Sequence, residues 1–136
     1  MKTLYAILLS FIFILSGCNG NQVDVSSLKP AATRTAGKLT IVLLNKTGEL
    51  TQGQNDFIVE FKDGQGRPVD VGDVQFGSNM SMPGMAMSGD AGVTKTKQAG
   101  IYKVTSNFGM SGAWHFALSW DGPAGQGHTE FNSNVK

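Results

Sequence analysis

Three features of the sequence predict an all-β fold, an immunoglobulin-like antiparallel β-sandwich of about seven strands. Residues 56–62 and 114–120 alternate large apolar and smaller or polar side chains with period 2, the pattern of strands with one dry face. Groups of turn-forming residues punctuate the chain roughly every 10–15 positions. From residue 38 onward no helical period lasts beyond a turn or two. Eighteen glycines among 136 residues, with many Val, Ile, Phe and Thr, favour short strands and tight turns. About seven such strands in about 100 residues is the size of an immunoglobulin-type domain.

The elements follow in order. Residues 1–17 carry one positive side chain, Lys2, then the apolar run Leu4-Tyr5-Ala6-Ile7-Leu8-Leu9-Ser10-Phe11-Ile12-Phe13-Ile14-Leu15. A basic end, an apolar core of this length and small residues before a cut site make a secretory signal. The run is short for a membrane-spanning helix, which needs about 20 apolar residues. Leu15-Ser16-Gly17-Cys18 resembles the lipobox of bacterial lipoproteins, in which the cysteine is lipidated and becomes the first mature residue. Residues 18–37 are polar, with Ser26-Ser27, Lys29-Pro30 and Ala31-Ala32-Thr33, and lack a hydrophobic period. They read as the lipidated Cys18 and a flexible tether of roughly 25 Å. The globular domain is expected over 38–136.

Within it, residues 38–46 set Leu39, Ile41 and Leu43 on one face and Val42 and Leu44 on the other. Residues 56–62 set Phe57, Val59 and Phe61 against Ile58, Glu60 and Lys62. Asp63-Gly64-Gln65-Gly66 is a turn. Strands are expected next at 69–76, where Val74 and Phe76 share a face, at 93–97 and at 101–107. They continue at 113–120, where Trp114, Phe116, Leu118 and Trp120 anchor the core, and at 128–135. Tyr102, Val104 and Phe131 are their expected neighbours.

Composition narrows the function. Removal of 17 residues leaves 119, with ten basic and ten acidic side chains. A neutral domain is a poor partner for nucleic acid, whose phosphates demand a basic surface. With its one cysteine given to lipid, the domain has no disulfide and folds on its hydrophobic core. Two histidines, no free thiol and no nucleophile beside a base leave no catalytic apparatus, so no enzyme is expected. Asp63-Gly64-Gln65-Gly66-Arg67 lacks the alternating ligands and closing Glu of a calcium loop.

The segment that speaks to function is Met80-Ser81-Met82-Pro83-Gly84-Met85-Ala86-Met87. If Pro83-Gly84 forms a two-residue turn, Met82 pairs with Met85 and Met80 with Met87, and all four thioethers share one face. A looser loop would also keep them close, since an L-Pro-Gly turn favours type II, which twists poorly with paired strands. Thioether sulfur is a soft, neutral ligand suited to Cu(I). It has no proton to lose in mild acid and cannot be oxidised to a disulfide outside the cytoplasm. The intervening Ser81, Pro83, Gly84 and Ala86 are a loop's composition rather than that of a core strand. Met110 is a fifth candidate ligand. His115 is a sixth, although its parity, opposite to Trp114 and Phe116, turns it away from the core. His128 likewise opposes Phe131.

Five segments together resemble the YtkA-like domain family, related to the FixH-like proteins. They are Gly53-Gln54-Asn55-Asp56-Phe57, Gly66-Arg67-Pro68-Val69, Met82-Pro83-Gly84-Met85-Ala86-Met87, Ala99-Gly100-Ile101-Tyr102 and Met110-Ser111-Gly112-Ala113-Trp114. The resemblance covers about residues 38–135 and implies an exported immunoglobulin-like sandwich linked to copper handling, metal efflux or oxidase assembly. It also implies Met82, Met85 and Met87 as metal residues, with Met80 beside them.

The expectation is a lipid-anchored, extracytoplasmic module of the cell envelope that binds Cu(I) and buffers it or hands it on. Asn19 after Cys18 leans towards the outer membrane where a cell has two. The expected partners are the membrane, through lipid on Cys18, and a copper-efflux or oxidase-assembly protein. The alternatives are a metal-free interaction module that uses the methionines as an adaptable apolar contact, and a passive structural lipoprotein.

Overall fold

A computed structural model describes residues 22–136. The signal segment 1–17 and Cys18 lie outside the described residues. Eight strands follow a short 3-10 turn, Val25–Ser27: β1 (Lys29–Ala36), β2 (Leu39–Asn45), β3 (Gly53–Lys62), β4 (Asp73–Met82), β5 (Met85–Lys95), β6 (Ile101–Phe108), β7 (Gly112–Gly122) and β8 (Gly125–Val135). All pair antiparallel, in the order β1-β2-β3-β6-β5-β4-β7-β8.

This order is that of an immunoglobulin-like sandwich. Strands β2, β3, β6 and β5 make a four-stranded sheet with the ABED arrangement, and β4, β7 and β8 make the CFG sheet. Strand β5 belongs to both. Its first half, Met85 to Gly89, pairs with β4, and its second half, Asp90 to Lys95, pairs with β6. The hairpin β4–β5 is therefore the seam that carries the chain from one sheet to the other.

The core lies between the sheets and follows the period-2 pattern. Ile41 and Leu43 from β2, Phe57, Val59 and Phe61 from β3, and Trp114, Phe116 and Leu118 from β7 are all buried. An aromatic chain runs along it. Phe57 meets Phe76 edge-on at 5.4 Å, Phe76 meets Phe116 at 5.2 Å, Phe116 stacks on Phe108 at 5.6 Å and Phe108 meets Trp114 at 5.2 Å. Such pairs add about 0.5–1.5 kcal/mol each beyond area burial. At the other end Phe61 touches Tyr102 and Trp120.

The folded part begins earlier than the sequence suggests. Residues 29–36, read as tether, form β1, in register from Lys29↔Asn45 to Ala36↔Leu39. The stretch escapes a periodicity reading because it is an edge strand of small residues. Its Ala31, Ala32 and Ala36 pack on the core without bulky side chains, and Pro30 sits beside a register shift, where a missing N–H is tolerated. Before it, Val23, Val25 and Leu28 lie on Val42, Leu44, Ile58 and Ile101, a second apolar cluster on the outer face of the ABED sheet. Asp24 caps the intervening turn by accepting from the Ser26 N–H at 3.0 Å.

Strands β4 and β5 are displaced from the expected spans 69–76 and 93–97: β4 starts only at Asp73 and β5 ends at Lys95. Both run on into the methionine segment. The Asp63 turn is as expected: its carboxylate accepts from the backbone N–H groups of Gln65 and Arg67 at 2.9 and 3.0 Å.

Candidate functional site

The methionine segment is a β-hairpin. Met82 pairs with Met85, and Met80 with Met87, across Pro83-Gly84. Gly84 has φ +77°, the value that the third position of a type II turn requires after proline. Along β4, burial alternates through Val74, Phe76, Ser78 and Met80, so Met80 and Met82 continue the inward face. Direct pairing sets Met87 and Met85 on that same face. Cβ atoms of directly opposed residues stand about 4.5–5.5 Å apart, well within the reach of two thioether side chains.

Burial grades along the hairpin. Met80 is 5% exposed and belongs to the core, Met87 is half-buried, and Met82 and Met85 at the tip are 39% and 54% exposed. The tip projects past the end of the sandwich, so its inward face opens to solvent.

The loop between β6 and β7 lies over the inner half of this face. The methyl of Met87 lies where a Cβ at Gly109 would come within 2.6 Å of it, and the methyl of Met80 stands 3.0 Å from the same position at Gly112. Side chains at either glycine would displace a methionine. Met110 sits between these glycines and is 36% exposed. Its carbonyl accepts the indole N–H of the buried Trp114 at 2.9 Å, and the Gln52 side chain donates to the Gly109 carbonyl at 3.0 Å. The loop is thus pinned from both sheets. All five methionines of the described residues gather at this end of the molecule.

The histidines stand apart. His115 pairs with Asn79 and Asn132 on the outer face of the CFG sheet, opposite in parity to Met80. Its Nδ1 lies 3.1 Å from the Asn132 side-chain oxygen and its Nε2 lies 3.4 Å from Glu130. His128 pairs with Ser119, farther down that face. The fold therefore joins Met80, Met82, Met85, Met87 and the Met110 loop, and places His115 and His128 elsewhere. Among the described residues no three of His, Cys, Asp and Glu converge as a metal-ligand set. The donors available at the hairpin are thioethers, which match a soft monovalent ion and match Zn(II) or Ca(II) poorly.

Sequence reasoning missed the glycine loop as a partner of the hairpin. The signal was present: Gly109 and Gly112 flank Met110, and the loop's small residues leave room for the methionine methyls. Two buried hydroxyls, Ser78 and Ser106, have no hydrogen-bond partner among the described residues, and both face Gly89, where β5 changes sheet.

Comparison with known proteins gives three findings. The family model described as YtkA-like matches residues 33–119. No curated protein matches the sequence. The chain is similar to the crystal structure of the Lin-41 filamin domain, with 14% identity and a TM-score of 0.47, covering 77% of this chain and 98% of that one.

Proposed function

The chain belongs to the YtkA-like family, and from that premise we propose that it is a lipid-anchored, extracytoplasmic module that binds Cu(I) through its methionine hairpin and buffers or transfers it. The observation that carries the reading is the register Met80↔Met87 and Met82↔Met85, which sets four thioethers on one face. Cu(I) is cargo in this reading. Met82, Met85 and Met87 would hold it, Met80 would support them from the core, and Met110 would approach from the overlying loop. The exposed Met82 and Met85 leave the ion open to a partner's ligands, so transfer would proceed by exchange of one soft donor for another. Export by residues 1–17 and lipid on Cys18 would place the module on the envelope, facing outside the cytoplasm.

A Cu(I) titration of the mature domain against a competing chelator tests this. One saturable site per chain is expected, lost when Met82, Met85 and Met87 are all changed to Leu. Leu keeps the volume and removes the sulfur. Absence of saturable binding, or full retention in the triple variant, rejects the reading. The thioethers do not titrate, so affinity at pH 5 should stay close to that at pH 7.

A second reading is a metal-free contact for an envelope partner. It is favoured by one observation: Met82, Met85 and Met110 are the exposed large apolar side chains among the described residues. Met-rich surfaces adapt to varied partners. The same triple Leu variant separates the two, because Leu should preserve an apolar contact while abolishing copper binding.

A further inference from the structure

We infer that residues 23–28 act as a strap that shortens the leash to the membrane and holds the methionine hairpin on the side of the domain away from the lipid. This rests on the anchoring at Cys18 proposed above, and deepens it into an orientation.

The strap is built into the sheet face. Gln98, in the turn between β5 and β6, takes the Val23 N–H on its side-chain oxygen at 2.6 Å and donates its amide to the Val23 carbonyl at 3.2 Å. One side chain thus satisfies both backbone groups of Val23, as a neighbouring strand would. Val23, Val25 and Leu28 then cover Val42, Leu44, Ile58 and Ile101, which would otherwise be an apolar patch on the outside of the ABED sheet.

The direction of the strap follows from the register. Gln98 lies at the end where β6 begins, with Ile101, and Lys29 pairs with Asn45 at the far end of β2. The chain therefore enters at the Gln98 end, climbs the outer face and turns into β1. The methionine tip lies at the opposite end, because β5 runs from Met85 at the tip to Lys95 beside that turn. At about 3.3 Å per residue this strand separates the ends by roughly 30 Å.

Only five peptide units join Cys18 to Val23. Fully extended they span at most about 18 Å, so the anchor must lie close to the Gln98 end. A domain on a free 19-residue coil could turn either end to the bilayer. A domain on this short leash presents Met82 and Met85 outward. The partner class this fits is a protein whose copper-accepting donors stand clear of the lipid headgroups.

The test uses the full lipidated chain in vesicles containing an acceptor fluorophore on the headgroups. Ser81→Cys at the tip and Ala124→Cys in the turn between β7 and β8 each carry a donor dye. Energy transfer from position 124 should exceed that from position 81 by about twofold or more. Gln98→Ala combined with a flexible 15-residue insertion before Val23 should bring the two values together, and hydrogen exchange should show the Val23 amide losing protection in that variant. Equal or reversed transfer in the native chain overturns the orientation, as does a difference that survives the insertion. Mass spectrometry of the N-terminal peptide reads the anchor separately: a Cys18 without acyl groups removes the premise and the inference with it, and leaves the copper titration untouched.

Discussion

At the scale of single residues, the four hairpin methionines divide into two kinds although the sequence writes them alike. Met80 is core and Met85 is rim. Truncating a buried Met to Ala costs about 2–5 kcal/mol, whereas exposed positions stay within about 0.5 kcal/mol. Met80→Ala should therefore lower the free energy of unfolding by that larger amount, and Met85→Ala should leave it unchanged, as chemical denaturation will show. Equal costs would mean that Met80 is not packed as described. Gly72 illustrates a different constraint. Its φ is +83° and a Cβ there would stand 2.2 Å from the Asp121 carbonyl oxygen, so no other residue fits where the β3–β4 connection passes the β7–β8 turn. Asp70 accepts the Gly72 N–H at 2.9 Å, and the Tyr102 hydroxyl donates to the Gly72 carbonyl at 2.8 Å.

At the scale of elements, the N-terminal strap and β1 matter most for solubility. Deleting residues 22–28 uncovers Val42, Leu44, Ile58 and Ile101 while leaving every strand pair intact. Partial burial of three aliphatic side chains corresponds to about 1–3 kcal/mol. The truncated domain should stay folded by circular dichroism, lose about that much stability and bind a hydrophobic dye. An unchanged denaturation midpoint with no dye binding would show that the strap does not cover this face in solution. The hairpin makes the complementary case. Its tip carries few core contacts, so it can present sulfurs to solvent, while its base is fixed by the switch of β5 between sheets.

At the scale of the whole molecule, the pH limits of stability follow from groups at the end opposite the methionines. The Gly72 N–H and then the Lys95 ammonium hold the Asp70 carboxyl below its ordinary 3.8, and backbone and side-chain bonds from the Arg67 turn do the same for Asp63. A depressed carboxyl stabilises the fold above its unfolded value, and that contribution fades as pH falls below about 4 through the folded value. Burial pushes the Tyr102 phenol above its ordinary 10.0. Its contribution is present below pH 10 and fades as pH rises beyond it, because the unfolded chain ionises first. Unfolding measured across pH should accordingly decline at both extremes. Tyr102→Phe should remove much of the alkaline decline while costing about 1 kcal/mol at neutral pH for the lost hydrogen bond. A Tyr102→Phe profile that still falls as steeply above pH 10 would assign the decline elsewhere.

The sequence by itself determined the all-β class and the inward faces of β2, β3 and β7, and it offered the cross-strand methionine partners as one of two arrangements, hairpin or looser loop, between which the structure chose the hairpin. Period-2 alternation and a two-residue turn are local properties, written in neighbouring residues. It also held the hint of an outer cluster, since Val42, Leu44 and Ile58 are apolar on the face expected to be wet. Only the tertiary structure decided what covers them, because Val23, Val25 and Leu28 show no period and gain their place from a sheet assembled by residues far along the chain. Parity had already set His115 on the face away from the core, whereas tertiary structure alone separated Met80 from Met85 and laid the Gly109–Gly112 loop over the sulfurs. Those outcomes depend on which strands lie side by side, and strand order is set by the packing of the two sheets rather than by any segment within them.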